Sequence, residues 1–446
     1  MTADGTNFLF STQAMEEVFA LSGQLRAMMR FEWALISALE KNGIAATGSG
    51  EALKALLNTE FIDRASLLGR AADAGNIAIP FVEQLTANVE KVNAEAARTV
   101  HLGATSQDVL DTALVLQIRA AMELLLPEID RLDAALALQV KKHAGTMLLG
   151  RTWLQPGPPT TLGLKLAGTL AALQRSRTRL KAAMERALVL EFGGAVGTLA
   201  SLGEEGGRVA AELASLLELN EPALPWHTQR DNIAEAGAVL GLLIACLGKF
   251  ARDIALLMQS EVGEVAEPSK EGKGGSSTMP QKRNPVASAA VIACAVRAPG
   301  LVATLMSAMP QEHERGLGLW QAEWATLPEL FRLAAASLSR SIEIAEGLEV
   351  DSTRMHENIE QTLGLAQAEA VSIALTRTRP RAAAHELVRK AAREAAAKGE
   401  ALANVLKAMP EVTEHLDPNE IDVLLKPERY LGSARRFIDR VLNEEP

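Results

Sequence analysis

Apolar residues recur at alternating steps of three and four over Ile233, Ala236, Leu240, Leu243, Leu247, Phe250, Ile254 and Leu257. Such a seam puts every apolar side chain on one helix face. Its length predicts a helix well beyond the globular average, packed in a bundle. The same period runs through Leu21, Leu25, Met28, Trp33, Leu35 and Leu39, predicting a helix over 14–42 that stops at Gly43. Short helices are predicted over 51–57 and 60–74, and another from Pro80 to Arg98. From Val109 to about Leu348 the pattern is long helices separated by glycine- and proline-rich connectors, with Pro127 kinking or restarting one of them. Beyond Gly347 the periodic segments shorten, and Pro380, Pro410, Pro418 and Pro427 punctuate an Ala/Glu/Lys-rich tail. Strand-like alternation of β-branched residues is scarce throughout. The expected fold is all-α, in three helical domains: 1–108, a central long-helix bundle over 109–348, and a small C-terminal domain over 349–446.

Composition sharpens this. Hydrophobic residues make up 48% of the chain but aromatics only 4%, so the core is aliphatic and alanine-rich. A formal net charge of −10 argues against a nucleic-acid or anionic-membrane surface, and an anionic ligand would need a locally positive pocket. The longest apolar run, 234–247, is interrupted by Glu235 and is too short to span a bilayer. Cys246 and Cys294 fall in apolar stretches and read as reduced core residues. The start, Met-Thr-Ala-Asp-Gly-Thr, has no basic n-region, and the expectation is a soluble cytoplasmic protein without a signal peptide. HExxH and CxxC spacings are absent, and Phe192-Gly-Gly-Ala-Val-Gly-Thr198 lacks the Gly-Lys-Ser/Thr ending of a phosphate loop. Neither a metal nor an organic cofactor is therefore expected.

Candidate chemistry concentrates in Gly272-Lys-Gly-Gly-Ser-Ser-Thr-Met-Pro-Gln-Lys-Arg-Asn-Pro285. Gly272, Gly274 and Gly275 free the backbone, and Ser276, Ser277 and Thr278 offer hydroxyls. Gln281, Lys282, Arg283 and Asn284 then precede an apolar run from Val286. Hydroxyls and cations at a helix start suit a carboxylate or phosphate ligand. By composition the segment reads equally as a surface linker. Upstream, Thr105, Ser106 and Asp108 precede an apolar helix starting near Val109, where they either cap it or leave free N–H groups for a carboxylate. His101, in the same stretch, is open between a structural and a catalytic role. Pro225-Trp-His-Thr-Gln-Arg-Asp-Asn232 supplies Gln229 and Arg230 just before the seam. Gln311 to Trp324 clusters charge with two tryptophans and by itself reads as a solvated helix face.

The string GSSTMPQKRNP resembles the signature loop of the fumarase/aspartase superfamily. HLGATSQDVLDTA, the GRTWLQPGPPTTLG connector and FGGAVGT resemble further regions of that superfamily in the right order, and FEWALISALE resembles its first long helix. The resemblance implies three mostly helical domains and a homotetramer, with each active site assembled from three subunits. It implies Ser276 as the acid/base acting at carbon, and Lys282 and Asn284 as binders of a substrate carboxylate. Thr105 and Ser106 match substrate-binding hydroxyls, Gln229 matches a substrate-contacting glutamine, and His101 falls in the first of these regions as a second catalytic candidate. Members work across the bond next to a carboxylate through a doubly negative aci-carboxylate, which demands fixed cations and N–H donors. A serine can move the carbon-bound proton only in a cationic, dry site.

Substitutions narrow the resemblance. Most members keep GRTH, with the histidine paired to a glutamate seven residues after the signature lysine; here Trp153 and Ala289 stand at those positions. RTWLQ, HTQRDNIAE and HERGLGLWQAEW resemble instead the branch that lactonises 3-carboxylated muconates, which adds Arg151, Trp153 and Arg315 to the expected substrate-binding set. Pro156 departs from the histidine common there, leaving the muconate's 3-substituent open between carboxylate and sulfonate. An adenylosuccinate lyase-like C–N lyase is the alternative, against which Leu9-Phe10-Ser11-Thr12 replaces that enzyme's phosphate-gripping Arg-Tyr. An inactive crystallin-like scaffold is a third reading, and the intact GSSTMPQKRNP argues against it. The implied partner is a small polycarboxylate substrate, with no nucleic acid, membrane, metal or cofactor.

Overall fold

The computed structural model describes residues 9–269, 279 and 282–443, so Ser276, Ser277, Thr278 and Gln281 lie outside the described residues. Gln13–Phe19 (α1) and Leu21–Lys41 (α2) replace the single helix expected over 14–42. The chain breaks at Ala20, whose ψ of 160° is extended. Gly23 lets the two helices close up, since a Cβ there would sit 2.2 Å from the Val18 carbonyl oxygen. Ser49–Lys54 (α3), Arg64–Ala74 (α4) and Ala78–Val92 (α5) follow. The helix expected to reach Arg98 is two helices, because Asn93 ends α5 and caps Ala94–Ala97 (α6), accepting from the Glu95 and Ala96 N–H groups, each at 3.1 Å. Ser106–Lys142 (α7) runs 37 residues straight through Pro127, which removes a ladder bond without ending the helix.

The connector after α7 holds a hairpin that the hydrophobic pattern did not reveal. Met147–Thr152 (β1) pairs antiparallel with Gln155–Thr161 (β2). Thr152 faces Gln155, so the turn is Trp153 and Leu154, both at positive φ (53° and 63°), as in a type I′ turn. Pro156, Pro158 and Pro159 masked the second strand. In a two-stranded ribbon every strand is an edge, where a missing N–H is tolerated. Leu162–Ala187 (α8), Gly206–Leu217 (α9), Asp231–Leu257 (α10), Val286–Ala308 (α11) and Leu319–Gly347 (α12) complete the long-helix part. Val265–Ala266 (β3) pairs with Glu349–Val350 (β4), and shorter helices run from Ser352 to Asn443.

The chain divides into two compact units. The first comprises Met1–Ile129, Ser176–Ala245 and Ala293–Ser339, and the second Asp130–Arg175, Cys246–Ile292 and Arg340–Pro446. In the first, α2 packs on α3 and α9, and its Leu25, Met28, Phe31 and Leu35 are buried. In the second, Val371, Leu375, Val388, Leu402, Leu406 and Ile421 form an apolar cluster. All eight seam residues of α10 are buried, as their spacing predicts. By length and composition α10 and α11 could each cross a membrane, yet 61% of the apolar window of α10 is buried, marking a core helix. In α11 that share is 33%, and Val296 and Met306 stand exposed. Cys294 is buried, whereas Cys246 is only half-buried.

Candidate active site

In the first unit, the motif strings converge on the start of α7. Thr105 and Ser106 are half-buried there, preceded by a turn in which His101 and Gly103 take positive φ (59° and 87°). Asp108 reaches back to accept the Thr105 N–H at 2.9 Å, half of a capping box. It also accepts from the Gly193 and Gly194 N–H groups, at 3.1 and 2.9 Å, and from His227 Nε2 at 2.6 Å. One carboxylate thus ties the helix start to the glycine turn and to the Pro225–Asn232 segment. Glu191 accepts the Trp226 N–H at 2.7 Å, and Trp226 Nε1 donates to Leu190 O.

One helical turn on, Asp111 accepts from both terminal nitrogens of Arg230 at 2.7 and 3.0 Å and from Trp320 Nε1 at 3.0 Å. Arg230 donates as well to Glu323, the shortest bond being 2.6 Å, and stacks 4.8 Å over the Trp226 ring. It is among the largest fully buried side chains of the protein. Arg315 donates to Gln107 Oε1 at 2.9 Å and to the carbonyls of Gly194 and Ala195, at 3.2 and 2.8 Å. The Gln311–Trp324 stretch is therefore no plain solvated face: Glu312, His313 and Glu314 are exposed, while Arg315, Trp320 and Glu323 turn inward.

Carboxylates outnumber cations here, and the titrations respond. Burial, with the charges of Asp111 and Asp108, pushes Glu191 up to about 9 despite the Trp226 N–H and Arg230. Burial raises Glu323 too, against the pull of Arg230. For Arg230 burial works against the charge, but Asp111 and Glu323 outweigh it and hold the guanidinium above its already high range. Asp108, Glu191 and His227 bring three ligand-type atoms within 4.8 Å of one another. That set does not suit a metal, because Asp108 already accepts four N–H donors and Glu191 holds a proton at neutral pH.

In the second unit, Arg151 on β1 makes a two-pronged pair with the fully buried Glu264, at 3.0 and 2.7 Å, and Asn358 Nδ2 donates to the same carboxylate at 2.8 Å. Trp153, at the hairpin tip, is 99% exposed. At the start of α11, Glu267 accepts from the Ala287 and Ser288 N–H groups at 3.0 and 2.7 Å, so those helix-start donors are already taken. Arg283 is clamped by Glu349 at 2.8 and 2.9 Å and donates to Glu267 O at 2.6 Å. Lys282 beside it is exposed, and Asn284 is half-buried. Ala289 is exposed on α11.

The first unit thus carries His101, Thr105, Ser106 and Arg315, and Gln229, exposed and adjacent in sequence to Arg230; the second carries Arg151, Trp153, Lys282 and Asn284. Sequence reasoning missed Glu32, Glu191, Asp111 and Glu323. A signal existed for Asp111 and Glu323: a carboxylate four residues after Gln107 on an apolar helix, and another between two tryptophans, both want an internal cation. Glu191 and Glu32 carried none.

A lyase family model matches residues 21–300, and a model of the adenylosuccinate lyase C-terminus matches residues 364–441. The 3-carboxy-cis,cis-muconate cycloisomerase of Pseudomonas aeruginosa is 52% identical over 435 residues, covering 98% of this chain and 95% of that protein. The cycloisomerase of the same name from Pseudomonas putida is 49% identical over 93% of this chain and 98% of its own. The crystal structure of the 3-carboxy-cis,cis-muconate lactonizing enzyme from Pseudomonas putida superposes with a TM-score of 0.93 at 48% identity, over 98% of each chain. The chain therefore belongs to the lyase family of the fumarase/aspartase superfamily, which its own GSSTMPQKRNP and HLGATSQD strings resemble.

Proposed function

We propose that this enzyme is a cycloisomerase that lactonises 3-carboxy-cis,cis-muconate, or a closely related 3-substituted muconate, to the 4-carboxymuconolactone in the breakdown of protocatechuate. The observation that carries the reading is 52% identity to a cycloisomerase of that substrate over 98% of the chain. A substrate carboxylate adds across the neighbouring C=C bond, charge develops as an aci-carboxylate, and a proton is then delivered to carbon. In this reading Ser276 carries that proton, and Lys282 and Asn284 meet the charge as it forms. Thr105, Ser106, Gln229, Arg151 and Arg315 hold the remaining carboxylates, and Trp153 shapes the cavity. No metal or organic cofactor takes part.

The same reading places the enzyme in the cytoplasm as a homotetramer of three-domain subunits with shared active sites. It is supported by α11, an apolar helix with exposed Val296 and Met306, and by the exposed Trp153 at a hairpin tip. A wall residue needs something to face, and another copy supplies it. The adenylosuccinate lyase C-terminus match over 364–441 favours a C–N lyase as second reading. Incubation with 3-carboxy-cis,cis-muconate, followed by loss of diene absorbance, with adenylosuccinate in parallel, separates the two. Turnover of adenylosuccinate alone would overturn the lactonising assignment.

A further inference from the structure

Most buried charges of the first unit are bonded several times over. The Glu32 side chain, fully buried on α2, is different: Oε1 lies 2.5 Å from His101 Nδ1, and Oε2 has no hydrogen-bond partner among the described residues. A carboxylate so placed is costly unless a charge answers it. The His101 ring is what answers. It keeps 17% of its side-chain surface exposed, and its backbone is held at φ 59° in the turn that leads to Thr105 and Ser106. A ring whose Nδ1–H is tied to a carboxylate is fixed in orientation and offers Nε2 to its other side. Among the described residues Nε2 makes no hydrogen bond.

We propose that Glu32 is the positioning residue for His101: its buried carboxylate fixes Nδ1–H and counters the ring's positive charge, so that Nε2–H is presented as a donor to a substrate carboxylate. This rests on the muconate reading above. The carboxylates that face the ring are Glu32 from α2 and Asp108 from the first turn of α7. Burial by itself would lower the imidazole pKa, but these two carboxylates outweigh it and hold it above the ordinary histidine range. The cation is therefore full below the ordinary pKa and is lost as pH rises through the raised one, so His101 governs an alkaline limb of activity.

The test compares wild type, Glu32→Gln and Glu32→Asp by kcat and KM against pH with 3-carboxy-cis,cis-muconate. In parallel, NMR titration of 13C-histidine-labelled protein follows the ring directly, the chain having 7 histidines and His101→Asn identifying the resonance. Gln keeps an acceptor for Nδ1–H but removes the charge. Its kcat is expected to fall more than KM changes, with the alkaline limb and the His101 titration moving down together by about one to three pH units. Glu32→Asp is expected to restore the limb in large part. A Glu32→Gln variant that loses activity evenly at all pH, with an unmoved His101 titration, overturns the proposal. Should that variant not fold, the wild-type titration decides: a His101 pKa at or below about 6.5 overturns it, and a higher one supports it. If wild type does not turn the muconate over, the function reading falls alone, and the two titrations still decide whether Glu32 holds His101.

Discussion

Glu191→Gln is expected to make the protein more resistant to unfolding at alkaline pH. The Glu191 side chain is fully buried, with one oxygen accepting the Trp226 N–H at 2.7 Å. The other lies 3.1 Å from His227 Nε2, whose single proton is directed to Asp108 Oδ1 at 2.6 Å. Burial and the charges of Asp111 and Asp108 then push the group from 4.5 up to about 9. Between those values the folded chain holds a proton that the unfolded chain has released. Its stabilising contribution is full below pH 4.5 and is lost as pH rises through about 9. The slope is at most about 1.4 kcal/mol per pH unit, so moving from pH 6 to 8 costs wild type about 1–3 kcal/mol through this group. A carboxamide of the same size stays neutral throughout, and the comparison cancels every other titrating group. Denaturant unfolding of both proteins at pH 6 and pH 8, at one fixed protein concentration, measures the difference. Parallel losses in wild type and variant would show Glu191 ionised in the fold and refute the argument.

Three further outcomes are expected from the proposed site. Ser276→Ala retains substrate binding and loses turnover by at least about a hundredfold, the usual size of a missing acid/base; near wild-type kcat would move the proton to another carrier. Lys282→Met lowers kcat and raises KM together, because a cation that holds a ground-state carboxylate also meets the added charge of the aci-form, whereas a change in KM alone would make the lysine a uniform binding group. Trp153→His loses lactonisation without gaining C–N lyase activity; assays of the single variant and of Trp153→His/Ala289→Glu with both substrates check this, and wild-type lactonisation by the single variant would remove Trp153 from the site.

What could be read from the chain followed from periodicity. The α10 seam is long and regular enough that no turn residue competes with it, and all eight of its positions are buried. Breaks were harder to see. Ala20 carries no turn signal, and the α1–α2 break becomes evident only through the close approach that Gly23 permits. Proline misled in both directions: Pro127 sits inside a continuous helix, and three prolines occupy a strand. Among the candidates, Thr105 and Ser106 stood out by their place at the start of an apolar helix, and Arg315 only through the HERGLGLWQAEW resemblance. Glu32 and Glu191 were not legible, since a lone carboxylate reads as exposed until its partner, 69 residues away for Glu32 and 35 for Glu191, folds against it.

The hairpin tip bears most directly on how lactonisation differs from the reactions of relatives that keep a histidine at position 153. Trp153 and Leu154 both hold left-handed φ without being glycine, at roughly 1 kcal/mol each, and both leave apolar surface in water, 99% and 74% exposed. A single chain has no evident use for two such residues side by side, whereas an assembly in which the tip enters another copy offsets both costs. In the proposed assembly, the group that enters is a flat apolar ring rather than a proton-transfer group. Water or an amine needs such a group when it joins or leaves carbon. A substrate carboxylate does not, being ionised at neutral pH with a pKa near about 4 and tethered to the carbon it attacks. Once activation is unnecessary, shape is what remains for position 153 to supply. In the proposed reaction, a tryptophan there folds the muconate chain toward ring closure and keeps water from the carbanion.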